Sequence, residues 1–139
     1  MDNQTVSRIR SSFALLAPRG QEVIDTFYEM LFSKAPGVRA LFPRDMAKQK
    51  GHLLAAVGLV VKHADNLGEL SKPLAEMGQR HVKYGAQPEH YPVVRDTMVE
   101  ALAKVAGPVW NAQLAADWTG ALNAVAAAML AKADQRKAA

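Results

Sequence analysis

Four polar side chains of this sequence share a helical face with apolar residues. They are Tyr28, Gln49, His81 and Tyr91. His81 has the clearest pattern, since it follows Leu70, Leu74 and Met77 at steps of four, three and four. Such spacing directs a side chain toward the protein interior. A buried phenol, amide or imidazole without a partner costs roughly 1–3 kcal/mol. Each of the four therefore needs a hydrogen-bond partner or a bound ligand.

The imidazole of His81 is also a candidate metal ligand. The other histidines are weaker candidates, because His52 lies off the stripe of Gln49, His63 lies in a polar stretch and His90 lies in the first turn of a helix. No two histidines have chelating spacing and no acidic pair lies near one, which disfavours a zinc or di-iron site. A cofactor that brings most of its own iron ligands, as haem does, fits a single histidine better. The competing interpretation is a core histidine that is satisfied by a hydrogen bond.

Composition narrows the class of protein. A chain of 139 residues that is 50% hydrophobic has the size of one domain, which we expect to span residues 1–139. Without cysteine there are no disulfides, thiolate metal sites or thiol catalysis. The net charge of +4 is spread along the chain, so we expect no nucleic-acid partner. No apolar run resembles a membrane span or a secretory signal, which predicts a soluble cytoplasmic protein.

Helical periodicity recurs along the chain and no sustained strand-type alternation interrupts it, which predicts an all-α fold. Proline and glycine divide the pattern into helices. We expect a short helical turn at residues 38–42 and a left-handed glycine cap at residues 66–68. Ser71, before Lys72 and Pro73, reads as the start of the fourth helix. The six long helices are predicted at residues 4–16, 21–34, 44–65, 71–83, 88–106 and 113–132.

An ordered series of motifs resembles the globin family over essentially the whole chain, and most closely bacterial single-domain globins and the globin part of flavohaemoglobins. The series is Phe27-Tyr28-Glu29-Met30-Leu31-Phe32, Pro36, Leu41-Phe42, Gln49 with Leu53, Gly78-Gln79-Arg80-His81, Pro88-Glu89-His90-Tyr91-Pro92, and Trp118. The resemblance implies a globin fold with six to eight helices around one haem, of type b.

The same resemblance implies roles for individual residues. His81 matches the axial iron ligand, and we expect its second ring nitrogen to donate a hydrogen bond to a backbone carbonyl near Met77. Tyr28 and Gln49 match the distal pair of bacterial globins. Phe42 matches the phenylalanine that stacks on the haem edge, and Leu53 would cap the ligand pocket.

Further haem contacts are implied for Ala86, Tyr91 and Val94. His52 and Arg80, with Lys83, are candidates for binding the haem propionates, although plain surface charges explain them equally well.

Two hydrogen-bond donors beside a five-coordinate iron favour binding of O2, with NO and CO as further ligands, and slow release of O2. That property suits scavenging or the reaction of oxygen with nitric oxide to nitrate.

Because the sequence ends before any reductase domain, we expect an external reductase. In flavohaemoglobins a glutamate lies near the axial histidine, and its position in this sequence is Ala133, with Asp134 adjacent. We therefore do not expect the strong electron donation to iron that is typical of peroxidases. The alternatives are a haem-based gas sensor or interaction module that acts through a partner, and a haem-free helical bundle.

Overall fold

The fold is built from α-helices. A computed structural model describes the backbone of residues 2–138 and the side chains of residues 2–130. Within these residues there is no strand, as the sequence predicts. The helices are α1 (Asn3–Leu16), α2 (Gly20–Lys34), α3 (Ala47–Lys62), α4 (Ser71–Lys83), α5 (His90–Ala106) and α6 (Ala112–Ala138), with 3-10 turns at Ala17–Arg19, Pro36–Leu41, Leu67–Leu70 and Gly107–Val109.

Proline and glycine separate the helices where the sequence predicts. α6 continues to Ala138 rather than ending at residue 132, and the boundaries of α3 also differ. This helix begins at Ala47 rather than at residue 44, because the Asp45 carboxylate accepts the Ala47 backbone N–H over 3.0 Å. It ends at Lys62 rather than at residue 65. α5 likewise begins two residues later than predicted, because a turn precedes it in which the Pro88 carbonyl accepts the Tyr91 N–H.

The predicted left-handed cap before α4 is wrong. Residues 67–70 form a 3-10 turn, and the positive-φ glycines of the described backbone are Gly85 and Gly107. The Ser71 hydroxyl donates to the Gly68 carbonyl instead of accepting from the first turn of α4. The chain can turn here without a left-handed residue because the 3-10 turn itself satisfies the backbone groups.

The main core cluster joins helices from both ends of the chain. Trp118 of α6 is fully buried, and its indole N–H donates to the Ser12 hydroxyl of α1 over 3.0 Å. The Ser12 hydroxyl in turn donates to the Ile9 carbonyl, so the buried polar groups are paired. The cluster has fifteen buried members, namely Ile9, Leu16, Val23, Ile24, Phe27, Tyr28, Leu31, Val57, Val61, Met98, Ala101, Leu102, Val105, Trp118 and Ala121.

A second, smaller core cluster packs α4 against α6. Its buried members are Val60, Leu70, Leu74 and Met129, with Met77 and Tyr91 packed against them. Gly78 permits this approach, since an added Cβ would lie 2.8 Å from the Met129 carbonyl carbon. The two helix backbones therefore come together where α4 carries His81 three residues later.

Among the described residues, no helix combines the length and apolar character needed to span a bilayer.

Candidate functional site

Tyr28 and Gln49 meet between α2 and α3. The Gln49 side-chain amide donates to the Tyr28 hydroxyl oxygen over 3.3 Å. Tyr28 is buried and Gln49 is half-buried. Because the amide nitrogen can only donate, the Tyr28 oxygen accepts this bond and its own proton remains available to another acceptor. The two side chains thus form a short chain of hydrogen bonds, in which Gln49 donates to Tyr28 and Tyr28 can donate to a further group.

The Tyr28 phenol is held in its neutral form. Burial raises its pKa above the ordinary value of 10.0, while the hydrogen bond from Gln49 acts in the opposite direction. Burial has the larger effect because it penalises the charged phenolate. At neutral pH, Tyr28 therefore keeps the proton that a hydrogen-bond donor requires.

Three phenylalanine rings surround Tyr28. Phe27 and Phe42 meet its ring edge-on, at centroid distances of 4.9 and 5.6 Å. Phe32 lies 5.6 Å from Tyr28 and 5.5 Å from Phe42. Edge-on aromatic contacts restrict ring orientation, so these neighbours fix the direction of the Tyr28 hydroxyl. The sequence assigned no role to Phe32, although its position one helical turn after Tyr28 is the signal that predicts the contact.

His81 lies near the end of α4 with its ring orientation set by the backbone. Its Nδ1 lies 2.7 Å from the Met77 carbonyl oxygen, which confirms the predicted hydrogen bond. Because a carbonyl can only accept, Nδ1 carries the proton and Nε2 of the neutral ring keeps a lone pair. His81 is half-buried, and the Tyr84 ring lies 6.2 Å away. The imidazole is therefore oriented as a metal ligand requires, whereas its binding of iron stays a prediction.

The loop after α4 brings the region of His81 next to the turn that precedes Phe42. Gly85 has φ +95°, a conformation that glycine adopts without strain, and the Ala86 N–H donates to the His81 carbonyl. A Cβ on Gly85 would lie 3.1 Å from Cδ2 of Leu41. Leu41 thus contacts the loop that continues from His81, and Phe42 follows it.

The other residues that the sequence predicts to contact a cofactor differ in their burial. Leu53 is half-buried against the main core cluster, and Tyr91 is half-buried against the second cluster. Val94 is 38% exposed. The residues predicted to bind propionates are all exposed, namely His52, Arg80 and Lys83. Ala133 and Asp134 lie outside the residues whose side chains the structure describes.

Two other histidines are engaged elsewhere. His63 Nδ1 lies 2.9 Å from the Glu69 carboxylate, and His90 Nδ1 accepts the Gln87 backbone N–H over 3.0 Å. Across residues 2–130, no three His, Asp or Glu side chains come together as a metal site would require.

The family model described as Globin matches residues 25–129, a range that includes Tyr28, Phe42, Gln49 and His81. The chain is a globin. Its six helices and the order of its motifs agree with that membership, so the predicted fold class and family are confirmed.

Sequence relatives of this globin include both short and long proteins. An uncharacterized globin-like protein from Aquifex aeolicus is 32% identical over 78% of this chain and 78% of its own length. A flavohemoprotein from Xylella fastidiosa is 33% identical over 82% of this chain but only 29% of its own length. The globin thus spans less than a third of the flavohemoprotein that it matches.

A solved structure has the same architecture. It is an engineered carbene transferase, a variant of a candidate nitric oxide dioxygenase from Rhodothermus marinus, and it is 27% identical to this globin. The two superimpose with a TM-score of 0.89, covering 99% of this chain and 96% of the other.

Proposed function

We propose that this globin would hold haem through Nε2 of His81 and would bind a diatomic gas beside Tyr28. The observation that carries the proposal is the Gln49–Tyr28 hydrogen bond at 3.3 Å, which leaves the Tyr28 proton free to donate. The hydrogen bond from His81 to Met77 supports it, since it gives Nε2 the lone pair that an iron ligand needs.

Apolar side chains in the segments of the candidate residues are partly exposed. Leu41 and Tyr84, in the segments that carry Phe42 and His81, are 37% and 61% exposed, and Val94 of α5 is 38% exposed. Burial of such side chains against a cofactor is favourable by about 25 cal/mol per Å². The sequence has no cysteine for covalent attachment of haem c, and we propose haem b as the cofactor. Haem held by one histidine supplies an iron with an open position for O2, NO or CO.

Tyr28 and Gln49 would set the lifetime of a gas ligand. A ligand whose outer atom carries negative charge is stabilised by the Tyr28 proton in a site that excludes water. Each neutral hydrogen bond contributes on the order of 1 kcal/mol, so oxygen release is slowed and carbon monoxide, which is less polarised, is affected less. Slow release suits scavenging or nitric oxide dioxygenation better than delivery.

The relatives support nitric oxide dioxygenation. One solved neighbour is a variant of a candidate nitric oxide dioxygenase, and sequence relatives are flavohemoproteins. We therefore propose nitric oxide detoxification in the cytoplasm, with a reductase as electron donor and residues 1–139 as one globin domain.

Absorption spectroscopy tests the proposal. Purified protein is expected to show a Soret band, a five-coordinate ferrous spectrum without added ligand, and a shift of the band when oxygen is added. Neither neutral Tyr28 nor Gln49 is a strong ferrous ligand, and His52 is exposed. Protein without a Soret band after reconstitution with haem would refute haem binding, and a bis-histidine spectrum would refute the five-coordinate iron.

A further inference from the structure

Two neighbouring polar contacts join α2 to the first turn of α3. Gln49 donates to Tyr28, and the next residue, Lys50, forms an ion pair with Asp25 at 2.9 Å. Asp25 precedes Tyr28 by three residues, so both acceptors lie on the same side of α2. Because Lys50 directly follows Gln49, the ion pair also restrains the helical turn that carries Gln49.

Apolar packing flanks this first turn rather than lying within it. Ala47 and Lys48 are exposed, whereas Met46 before the turn and Leu53 after it pack against the main core cluster. Close apolar contact between the two helices is recorded one turn later, where a Cβ on Gly20 would lie 3.0 Å from Cδ1 of Leu54. Between these apolar contacts, Gln49 and Lys50 join α2 through polar contacts.

The Asp25 carboxylate is preoriented for Lys50. Gln21, one turn earlier on α2, donates to the same carboxylate oxygen over 3.0 Å. The hydrogen bond from Lys50 is the largest cause that lowers the pKa of Asp25, so the Asp25 carboxyl group is ionised at neutral pH. With side-chain exposures of 29% for Lys50 and 44% for Asp25, the pair is accessible to salt.

We propose that Asp25 and Lys50 are a positioning pair that keeps Gln49 against Tyr28, and that screening of this pair by salt accelerates ligand release. The gas-release part of this inference rests on the proposed function. Neither residue touches the ligand, so their effect passes through the Gln49–Tyr28 hydrogen bond.

Hydrogen exchange tests the positioning without reference to gas binding. Lys50→Met is expected to speed amide exchange at Gly51 and His52 about two- to fivefold, the range expected from loss of a partly exposed ion pair. The matched control is Lys34→Met, which breaks the Lys34–Glu100 pair between α2 and α5 and leaves α3 untouched. Unchanged exchange at Gly51 and His52 in Lys50→Met, or equal acceleration in the control, would overturn the inference.

Oxygen dissociation by stopped flow, from low to high salt, tests the consequence. In the wild type the rate should rise with salt toward the rate of Lys50→Met, which should itself respond little to salt. Lys50→Arg keeps the charge and is expected to restore both the slow rate and the salt dependence. In a Gln49→Leu background, Lys50→Met should add nothing, because the bond that it supports is already lost.

These experiments distinguish failure of the positioning pair from failure of the proposed function. Protein that fails to bind haem would refute the proposed function, yet the exchange comparison would still decide whether the pair holds the first turn of α3. Normal oxygen binding together with a Lys50→Met rate equal to that of Lys34→Met would refute the positioning pair alone. A Lys50→Met effect that persists in full in Gln49→Leu would also refute it, since the pair would then act by another route.

Discussion

The Gln49 amide donates its hydrogen bond to the oxygen of Tyr28, across 3.3 Å and between two different helices. The two side chains are therefore arranged in series, with the Tyr28 proton left to act on a third group. The sequence predicts two hydrogen-bond donors beside a bound ligand. The geometry instead favours Tyr28 as the direct donor and Gln49 as the residue that orients it.

Replacing Tyr28 with phenylalanine tests the direct donor. The variant keeps the ring contacts with Phe27, Phe32 and Phe42 and removes only the hydroxyl, so the fold and haem binding should survive. Oxygen should dissociate about fivefold faster or more, as expected for loss of one hydrogen bond of about 1 kcal/mol. Stopped-flow measurement with carbon monoxide as the comparison ligand, which should change far less, checks this. An unchanged or slower oxygen rate would mean that the phenol points away from the ligand.

Gln49→Leu tests the serial arrangement. Without the amide, the Tyr28 hydroxyl loses the bond that orients it, so oxygen should again leave faster, but by less than in Tyr28→Phe. In the double variant the rate should match that of Tyr28→Phe, because Gln49 has no hydroxyl left to orient. Effects that multiply in the double variant would indicate two independent donors.

His81→Ala is expected to lose stable haem attachment, because the Nε2 lone pair set up by the bond to Met77 disappears. The Soret absorbance after gel filtration of reconstituted protein measures this loss. His52→Ala is the matched control, since His52 is exposed, and it should retain haem. Retained haem with an unchanged ferrous spectrum in His81→Ala would eliminate the axial assignment.

Gly78→Ala should destabilise the fold by about 1–3 kcal/mol, the usual cost of overpacking. The added Cβ would lie 2.8 Å from the Met129 carbonyl carbon, and a helix backbone yields less readily than a side chain. Urea unfolding measures the change. Gly120→Ala in α6 is the control, because nothing lies within 4 Å of its Cβ position, and helix propensity predicts a gain of about 1 kcal/mol. Equal stability of the two variants would contradict the close approach of α4 and α6.

Acid should weaken the fold partly through Asp117. The Arg8 guanidinium donates to both of its carboxylate oxygens, over 2.6 and 3.0 Å, and this hydrogen bonding is the main cause that holds the pKa of Asp117 below the ordinary 3.8. A depressed folded-state pKa means that the unfolded chain binds the proton more readily. The stabilisation is therefore present above the unfolded pKa and is lost as the pH falls through the folded pKa.

Thermal unfolding midpoints between about pH 3 and pH 7 check this prediction. Asp117→Asn should lower the midpoint at neutral pH and flatten its fall in acid. Asp96→Asn is the control, because the pair of Asp96 with Arg95 also lowers the pKa of Asp96 but its carboxylate is 55% exposed, and solvent screens it. An acid profile that Asp117→Asn leaves unchanged would assign the acid sensitivity to other carboxyl groups.

The sequence by itself determined the helical class, because proline and glycine positions end helices through local backbone sterics. Spacing within one helix also determined that Tyr28 and His81 lie on the apolar faces of their helices. The bond from His81 to Met77 is an expectation from the globin resemblance, and it joins residues four positions apart in one helix. The ordered motifs then indicated the globin family. These features depend on residues that are close in the sequence, so they can be predicted without knowing how the helices pack.

Only the tertiary structure decided contacts between segments. The hydrogen bond between residues 28 and 49, the ion pair between residues 25 and 50 and the approach of Leu41 to Gly85 depend on how α2, α3 and α4 cross. The same holds for Gly78 beneath Met129, which reads as an ordinary helical glycine in the sequence. The start of α3 was misjudged because the Asp45 carboxylate replaced a backbone acceptor. Helical periodicity specifies which face of a helix is buried, but the partner of that face is set by packing across the whole chain.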